Sequence, residues 1–97
     1  MFGVVNRLTF TAPVDDAVAA RFTEAMQSLR GIAGLVSAHV VRTGEHEVHL
    51  VLLFESAEDA ARITAEIGNP MMREHIVPLL DGPTDRRTGD VIASTLV

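Results

Sequence analysis

The sequence predicts a single α+β domain in which two helices cover one face of an antiparallel sheet. Three observations support this fold class. Stretches of alternating apolar and polar residues indicate half-buried strands, apolar residues at every third or fourth position indicate amphipathic helices, and turn-forming residues separate the two. The resulting order is β-α-β-β-α-β, the ferredoxin-like arrangement. The 97 residues have the length of one domain, which we expect to span residues 1–97.

The first strand and the first helix are joined by a turn at Ala12-Pro13. Residues 4–11 alternate in polarity, and Asn6 falls on the face that is otherwise apolar. From Asp15 the spacing of the apolar residues becomes helical. The ends of this helix are indicated by the carboxylate of Asp15, which suits a helix start, and by Gly31, which suits the position after a helix end. The apolar stripe of this helix consists of Val18, Phe22, Ala25, Met26 and Leu29.

Two further strands, about residues 35–42 and 47–54, are expected to form a hairpin. The register follows from placing apolar residues opposite apolar residues, because a shift by one residue would mix the two faces. The predicted pairs are Val40 with Val48, Ala38 with Leu50, and Val36 with Leu52.

This register also places His39 opposite His49 on the second face of the sheet. Cross-strand imidazoles at that spacing can share a metal ion, with Glu47 as a third ligand. Alternatively, burial of the pair between two subunits would make their association sensitive to pH at about pH 6. The sequence leaves both interpretations open.

A second helix is predicted from the pattern Ser56-x-x-Asp59, which is typical of a capping box. Apolar spacing continues to Ile67, and Gly68-Asn69-Pro70 then interrupts the pattern. Asn69 as N-cap and Pro70 in the first turn would start a short additional helix.

The segment after this short helix is rich in turn-forming residues from Asp81 to Asp90. The stretch Val91–Val97 is apolar and rich in β-branched residues, so it is predicted to be the last strand.

The face of the sheet without helices is expected to be only partly polar. Its predicted residues are Val5, Arg7, Thr9, His39, Val41, His49, Val51 and Leu53. An antiparallel sheet with a half-apolar uncovered face favours a partner of the same shape. We therefore expect a homodimer.

Composition excludes several classes of function. The chain has no Cys, Trp or Tyr, and all 8 of its basic residues are Arg, which excludes thiolate and lysine nucleophiles and cysteine-bound metals. With 13 acidic residues and a net charge of −5, nucleic acid and anionic membranes are not expected as partners. No signal-like or membrane-spanning stretch is present, so we expect a cytoplasmic protein.

Several short motifs give the chain a resemblance to a known family. They are Val4-Val5-Asn6-Arg7-Leu8, Gly34-Leu35, Val41-Arg42, Phe54-Glu55-Ser56, Asn69-Pro70 and His75. With these residues in this order, the chain resembles the antibiotic-biosynthesis-monooxygenase family of dimeric α/β barrels. The resemblance extends over nearly the whole chain and implies two sheets facing each other in a homodimer.

This resemblance implies two kinds of chemistry. Members include cofactor-independent oxygenases that act on polycyclic aromatic substrates, and haem-degrading enzymes that use a strand Asn, a helix Trp and an axial His. Asn6 matches the strand Asn and His75 the axial His. The position of the Trp falls near Ile63, and this chain has no Trp.

We therefore expect Asn6 and His75 to be the catalytic residues beside an apolar pocket between sheet and helices. Asn6 would orient a substrate oxygen or a dioxygen species, and His75 would act as a general base or an axial ligand. A purely structural role remains open for each of them. The expected lining of the pocket is Leu8, Phe10, Phe22, Met26, Met71 and Met72.

The leading functional hypothesis is a small homodimer that binds a flat aromatic or apolar metabolite and oxidises it as a cofactor-independent monooxygenase. No resident metal or cofactor is expected under this hypothesis. One alternative is a haem-binding or haem-degrading monooxygenase. Another is a non-catalytic dimeric accessory protein or a ligand sensor similar to the ACT domain, although residues 11–14 lack the glycine that such sensors place there.

Overall fold

The computed structural model describes residues 1–96 and has the predicted order of strands and helices. The strands are β1 (Phe2–Thr9), β2 (Leu35–Gly44), β3 (Glu47–Phe54) and β4 (Asp85–Asp90). The helices are α1 (Asp16–Met26), α2 (Ala57–Ile63) and α3 (Asn69–His75), with short 3-10 turns at Gln27–Leu29 and Val77–Leu79.

The four strands form one antiparallel sheet in the order β2-β3-β1-β4, as the ferredoxin-like prediction requires. β1 is central and pairs with β3 on one side and β4 on the other. Asn6 of β1 therefore lies between Leu50 of β3 and Arg86 of β4. Residues directly opposite one another share a face, so all three lie on the face that the helices cover.

Side-chain caps start the first two helices where the sequence predicts them. The Asp15 carboxylate accepts a hydrogen bond from the backbone N–H of Val18 at 3.1 Å. The Ser56 hydroxyl accepts one from the backbone N–H of Asp59 at 3.0 Å. Each bond satisfies an N–H that the helix itself leaves free, an effect worth about 1 kcal/mol.

A close backbone approach joins the start of α2 to the connector before β2. Gly34 has φ +97°, and a Cβ at this position would lie 2.6 Å from Cγ of Asp59. The Gly34 carbonyl also accepts a hydrogen bond from the backbone N–H of Glu55 at 2.9 Å. Only glycine adopts this positive φ without strain and also leaves room for Asp59.

The core consists of two clusters between the sheet and the helices. The first contains Val4, Ala25, Leu29, Phe54, Ala60, Ile63 and Met71. The second contains Leu8, Phe10, Val14, Phe22, Val48 and Ile76. In the second cluster, the rings of Phe10 and Phe22 meet edge to face with centroids 6.0 Å apart.

The predicted hairpin register is wrong by two residues. Ala38 pairs with Leu52 and Val40 with Leu50, and His39 lies opposite Val51 rather than His49. Alternation distinguishes the two faces but not registers that differ by two residues, because such registers keep every side chain on its face. The position of the turn and two irregularities, at 35/37 and 42/44, decide between them.

His49 consequently has neighbours other than His39. It lies opposite Val41, and its Nδ1 is 2.8 Å from the Thr43 hydroxyl. Among residues 1–96, no group of three or more His, Cys, Asp or Glu side chains is arranged to hold a metal ion. The predicted pairing of the two imidazoles, on which the shared metal site depended, is thus corrected.

The last strand lies earlier than predicted. β4 is Asp85–Asp90, within the segment that we assigned to turns, while residues 91–96 contain no strand. β4 is an edge strand with polar side chains, and its pairing with β1 rests on backbone hydrogen bonds rather than on an apolar pattern. Ile92 is 97% exposed, and Val97 lies outside the described residues.

The interruption at Gly68-Asn69-Pro70 is not a helix break. The chain passes from α2 to α3 through a π-helical turn, Thr64–Gly68, in which the N–H of Asn69 donates to the carbonyl of Thr64. Asn69 itself has helical angles, φ −64° and ψ −47°, so it is not the predicted N-cap.

Within the described chain, no helix combines the length and apolarity required to cross a bilayer.

Candidate functional site

A cavity of about 480 Å³ lies between the sheet and the segment that runs from α2 to α3. Its volume falls in the range of small-molecule pockets. Its apolar lining is Val4, Leu29, Leu50, Leu52, Phe54, Ile63, Ala65, Gly68, Met71, Met72 and Val77. Its polar lining is Asn6, Thr64, Asn69, Arg73, Thr84 and Arg86.

The π-helical turn contributes to one wall of this cavity. Thr64, Ala65 and Gly68 belong to the turn, and Asn69 directly follows it. A π turn contains an extra residue relative to an α-helix, and such turns are frequent at functional sites because they displace the residues that follow. Here residues of the turn line the same cavity as Asn6.

Asn6 is a polar group that the central strand of the sheet contributes to the cavity. Its side-chain oxygen Oδ1 is buried and has no hydrogen-bond partner among residues 1–96. An unsatisfied buried acceptor costs about 1 to 3 kcal/mol. The other such atom is the Ser37 hydroxyl, which lies on β2 and does not line this cavity.

The structure separates the residues that were predicted to line one pocket. Asn6, Met71 and Met72 line the cavity. Leu8 and Phe10 are 0% and 2% exposed and belong to the second core cluster, which fills the other half of the same sheet face.

Phe22 and Met26, the remaining two predicted residues, line a groove between α1 and β2. Two polar side chains in this groove, Asp15 and Arg42, have partners within the chain. The Asp15 carboxylate caps α1, and the guanidinium of Arg42 donates to the Val14 carbonyl at 2.9 Å. The groove therefore lacks the unsatisfied buried group that distinguishes the cavity.

His75 lies at the end of α3 and is not among the residues that line the cavity. Its side chain is 21% exposed, and its Nε2 is 3.8 Å from a carboxylate oxygen of Glu74. Its carbonyl accepts a long hydrogen bond, 3.5 Å, from Arg21 of α1. The structure therefore does not bring Asn6 and His75 together in this cavity.

Two arginines that were not among the predicted site residues line the cavity, Arg73 of α3 and Arg86 of β4. Arg86 was assigned to a turn because its segment lacks an apolar pattern. The pairing of β4 with β1 places it directly opposite Asn6. No signal in the sequence indicates that β4 pairs with β1. Arg73 does have a signal, because it lies four residues after Asn69, the spacing that places two side chains on the same face of a helix.

The uncovered face of the sheet has an apolar centre and charged surroundings. Val5 is 43% exposed and Val41 48% exposed. At one end of this face, Arg7 lies between Glu47, at 3.8 Å, and Asp85, at 3.9 Å. This composition agrees with the half-apolar face that the sequence predicts.

Comparisons with solved structures show the same fold at low sequence identity. A protein of unknown function from Nitrosomonas europaea superimposes with a TM-score of 0.81 at 15% identity, over 99% of this chain and 93% of that one. SnoaB, a cofactor-independent oxygenase from Streptomyces nogalater, gives 0.78 at 12% identity, over 97% and 95%. No curated protein sequence matches significantly.

A third similar structure carries a porphyrin. It is a mutant of MhuD with two manganese protoporphyrin IX molecules bound per active site. The TM-score is 0.79 at 15% identity, over 98% of both chains.

The family model for antibiotic biosynthesis monooxygenases matches residues 1–66. This range includes β1 with Asn6, the hairpin β2-β3, and α2 up to the start of the π-helical turn. Because the matched range is more than half of the chain and the fold agrees with that of family members, this chain belongs to the antibiotic biosynthesis monooxygenase family.

Proposed function

We propose that the cavity binds a flat, largely apolar small molecule and that Asn6 is its polar anchor. The observation that carries this proposal is the buried Asn6 amide, whose Oδ1 has no partner among residues 1–96, in a cavity with a mostly apolar lining. A chain gains no stability from such a group, so a role in binding accounts for its position. The apolar side chains of Leu50 and Met71 provide surfaces for a ring system.

We further propose that the bound molecule is oxidised without a resident cofactor. In such a reaction the substrate provides all the electrons: dioxygen converts a ring-flanked CH2 group into a carbonyl, and its second oxygen atom leaves as water. In a substrate whose ring system also carries a carbonyl conjugated with this CH2 group, loss of a CH2 proton to solvent leaves an enolate. The Asn6 Nδ2–H2 group would donate a hydrogen bond to the enolate oxygen and stabilise it. The support for this chemistry is the family and the composition of the cavity.

The cavity residues do not fit haem well. The lining includes no imidazole among the described residues, and His75, which matches the family's axial ligand, does not belong to it. The chain also has no Trp. We therefore derive no step through haem, and haemin serves as a probe in the experiment below.

We propose that the protein is a homodimer that associates through the uncovered face of the sheet. An apolar centre with a polar rim is the usual composition of a protein interface. Val5, on the central strand β1 opposite Val51, would lie in that centre, and the group of Arg7, Glu47 and Asp85 at its edge.

The experiment is a calorimetric and thermal-shift titration with anthraquinone and haemin, on the unmodified protein and on Asn6→Leu. Leucine has a shape similar to asparagine but has no amide. The control is Thr9→Val, a similar loss of a polar group on the same strand but on the opposite face. We expect anthraquinone to bind the unmodified protein and Thr9→Val, and to bind Asn6→Leu at least about tenfold more weakly.

Two results would contradict the proposal. Equal anthraquinone affinity in Asn6→Leu would remove Asn6 from the site. A Soret shift with haemin that depends on His75 would favour the haem alternative instead.

A further inference from the structure

The cavity has a positive charge in an acidic protein. The chain has 13 acidic residues and 8 basic ones, yet the described lining contains two arginines, Arg73 and Arg86, and no Asp or Glu. A cleft lined by charges of one sign, with apolar walls, concentrates the field on a ligand of the opposite sign.

These two arginines also differ from most others in having no partner among residues 1–96. Among residues 1–96, Arg7, Arg62 and Arg87 form ion pairs, and Arg21 and Arg42 donate to backbone carbonyls. The remaining arginines form neither an ion pair nor a hydrogen bond with the described chain; they are Arg30, Arg73 and Arg86.

Arg73 and Arg86 reach the cavity from two different layers. Arg86 is on β4, directly opposite Asn6 in the β1-β4 ladder. Arg73 is on α3, in the helical layer that faces the sheet. Val77 and Thr84, which also line the cavity, lie on the segment that connects α3 with β4. The two cations therefore line the cavity together with residues of the segment that connects α3 with β4.

A guanidinium group presents paired N–H donors that match the two oxygens of a carboxylate. We propose that the ligand of this cavity is a flat aromatic or apolar acid whose carboxylate binds Arg73 and Arg86. Its ring system lies along the apolar wall, and a polar group on the ring reaches Asn6. This inference rests on the proposed function and specifies its ligand class.

The test compares naphthoate with naphthamide, which have the same ring and nearly the same shape but differ in charge. Affinities are measured by calorimetry for the unmodified protein, Arg73→Gln and Arg86→Gln. Arg30→Gln is the matched control, because Arg30 is also unpartnered but lies at the groove between α1 and β2. Glutamine retains hydrogen bonding and removes the charge in all three variants.

We expect naphthoate to bind the unmodified protein at least about tenfold more tightly than naphthamide. Arg73→Gln and Arg86→Gln should each remove most of this difference, while Arg30→Gln retains it. Added salt should weaken naphthoate binding and leave naphthamide binding nearly unchanged.

Other results would overturn the inference, and they distinguish its failure from that of the proposed function. Equal affinities for naphthoate and naphthamide, both weakened by Asn6→Leu, would contradict the carboxylate site and support the apolar binding site. Loss of binding in Arg30→Gln alone would place the acid in the other groove and overturn the inference. If neither compound binds, both the carboxylate site and the proposed function are contradicted for ligands of this shape.

Discussion

Arg86 of β4 lies directly opposite Asn6 of β1, so an unpartnered cation and an amide with an unsatisfied oxygen stand side by side on the inner face of the sheet. Both line the same cavity. The Asn6 oxygen is buried without a partner among residues 1–96, whereas Arg86 is exposed and its guanidinium forms neither an ion pair nor a hydrogen bond with those residues, so both are suited to bind a polar ligand.

The first prediction concerns the stability cost of Asn6. Asn6→Leu should raise the free energy of unfolding by about 1 to 3 kcal/mol, because it removes a buried acceptor without a partner and keeps a similar volume. Urea denaturation of the protein without ligand measures this difference. A lower stability in Asn6→Leu would show that the amide has a structural partner in solution, which contradicts a primary role in ligand binding.

The second prediction concerns the contact between Gly34 and the start of α2. Gly34→Ala should destabilise the protein more than Gly31→Ala does. Both positions have positive φ, which costs alanine about 1 to 2 kcal/mol, but only at Gly34 would a Cβ contact Asp59, at 2.6 Å from its Cγ. Thermal unfolding of the two variants provides the comparison. Equal losses would show that Asp59 moves away without cost.

The third prediction concerns His75. His75→Ala should leave the affinity of anthraquinone and naphthoate within about twofold of the unmodified protein, because His75 does not line the cavity. Calorimetric titration of the variant tests this. A loss of affinity comparable to that of Asn6→Leu would return His75 to the binding site.

The fourth prediction concerns the uncovered face of the sheet. Val5→Arg should convert the proposed homodimer into a monomer, because it places a charge in the apolar centre of the interface, on the central strand β1. Ala61→Arg, at an exposed position of α2, is the control for the added charge. Equilibrium sedimentation distinguishes the two states. A protein that is already monomeric without substitution would contradict the dimer.

Much of the fold could be predicted from the sequence because it depends on local signals. Asp15 and Ser56 are capping residues at helix starts, and alternation places Asn6 on the inner face. The hairpin register could not be predicted, because registers two residues apart keep the same faces. The positions of β4 and Arg86 were missed because an edge strand is stabilised by backbone pairing and needs no apolar pattern.

The candidate site could be predicted only in part, for a related reason. Asn6, Met71 and Met72 line the cavity, whereas Leu8 and Phe10, which lie on the same sheet face as Asn6, are buried in the core. The alternation along a strand shows on which face a side chain lies, but not which part of that face is packed against the helices. Pro70 suggested a helix break, whereas the π-helical turn before it accommodates the missing N–H within a continuous helical segment.

The central claim is that the Asn6 amide contacts a ligand in the cavity, and side-chain amide NMR tests it most directly. The chain has only two Asn and one Gln, so its side-chain amide spectrum contains three NH2 pairs. During titration with anthraquinone, whose carbonyl oxygens can accept a hydrogen bond from an amide, the Asn6 NH2 resonances should shift and saturate, while those of Gln27 remain unchanged. Binding of anthraquinone detected by calorimetry, without any shift of the Asn6 resonances, would contradict the claim.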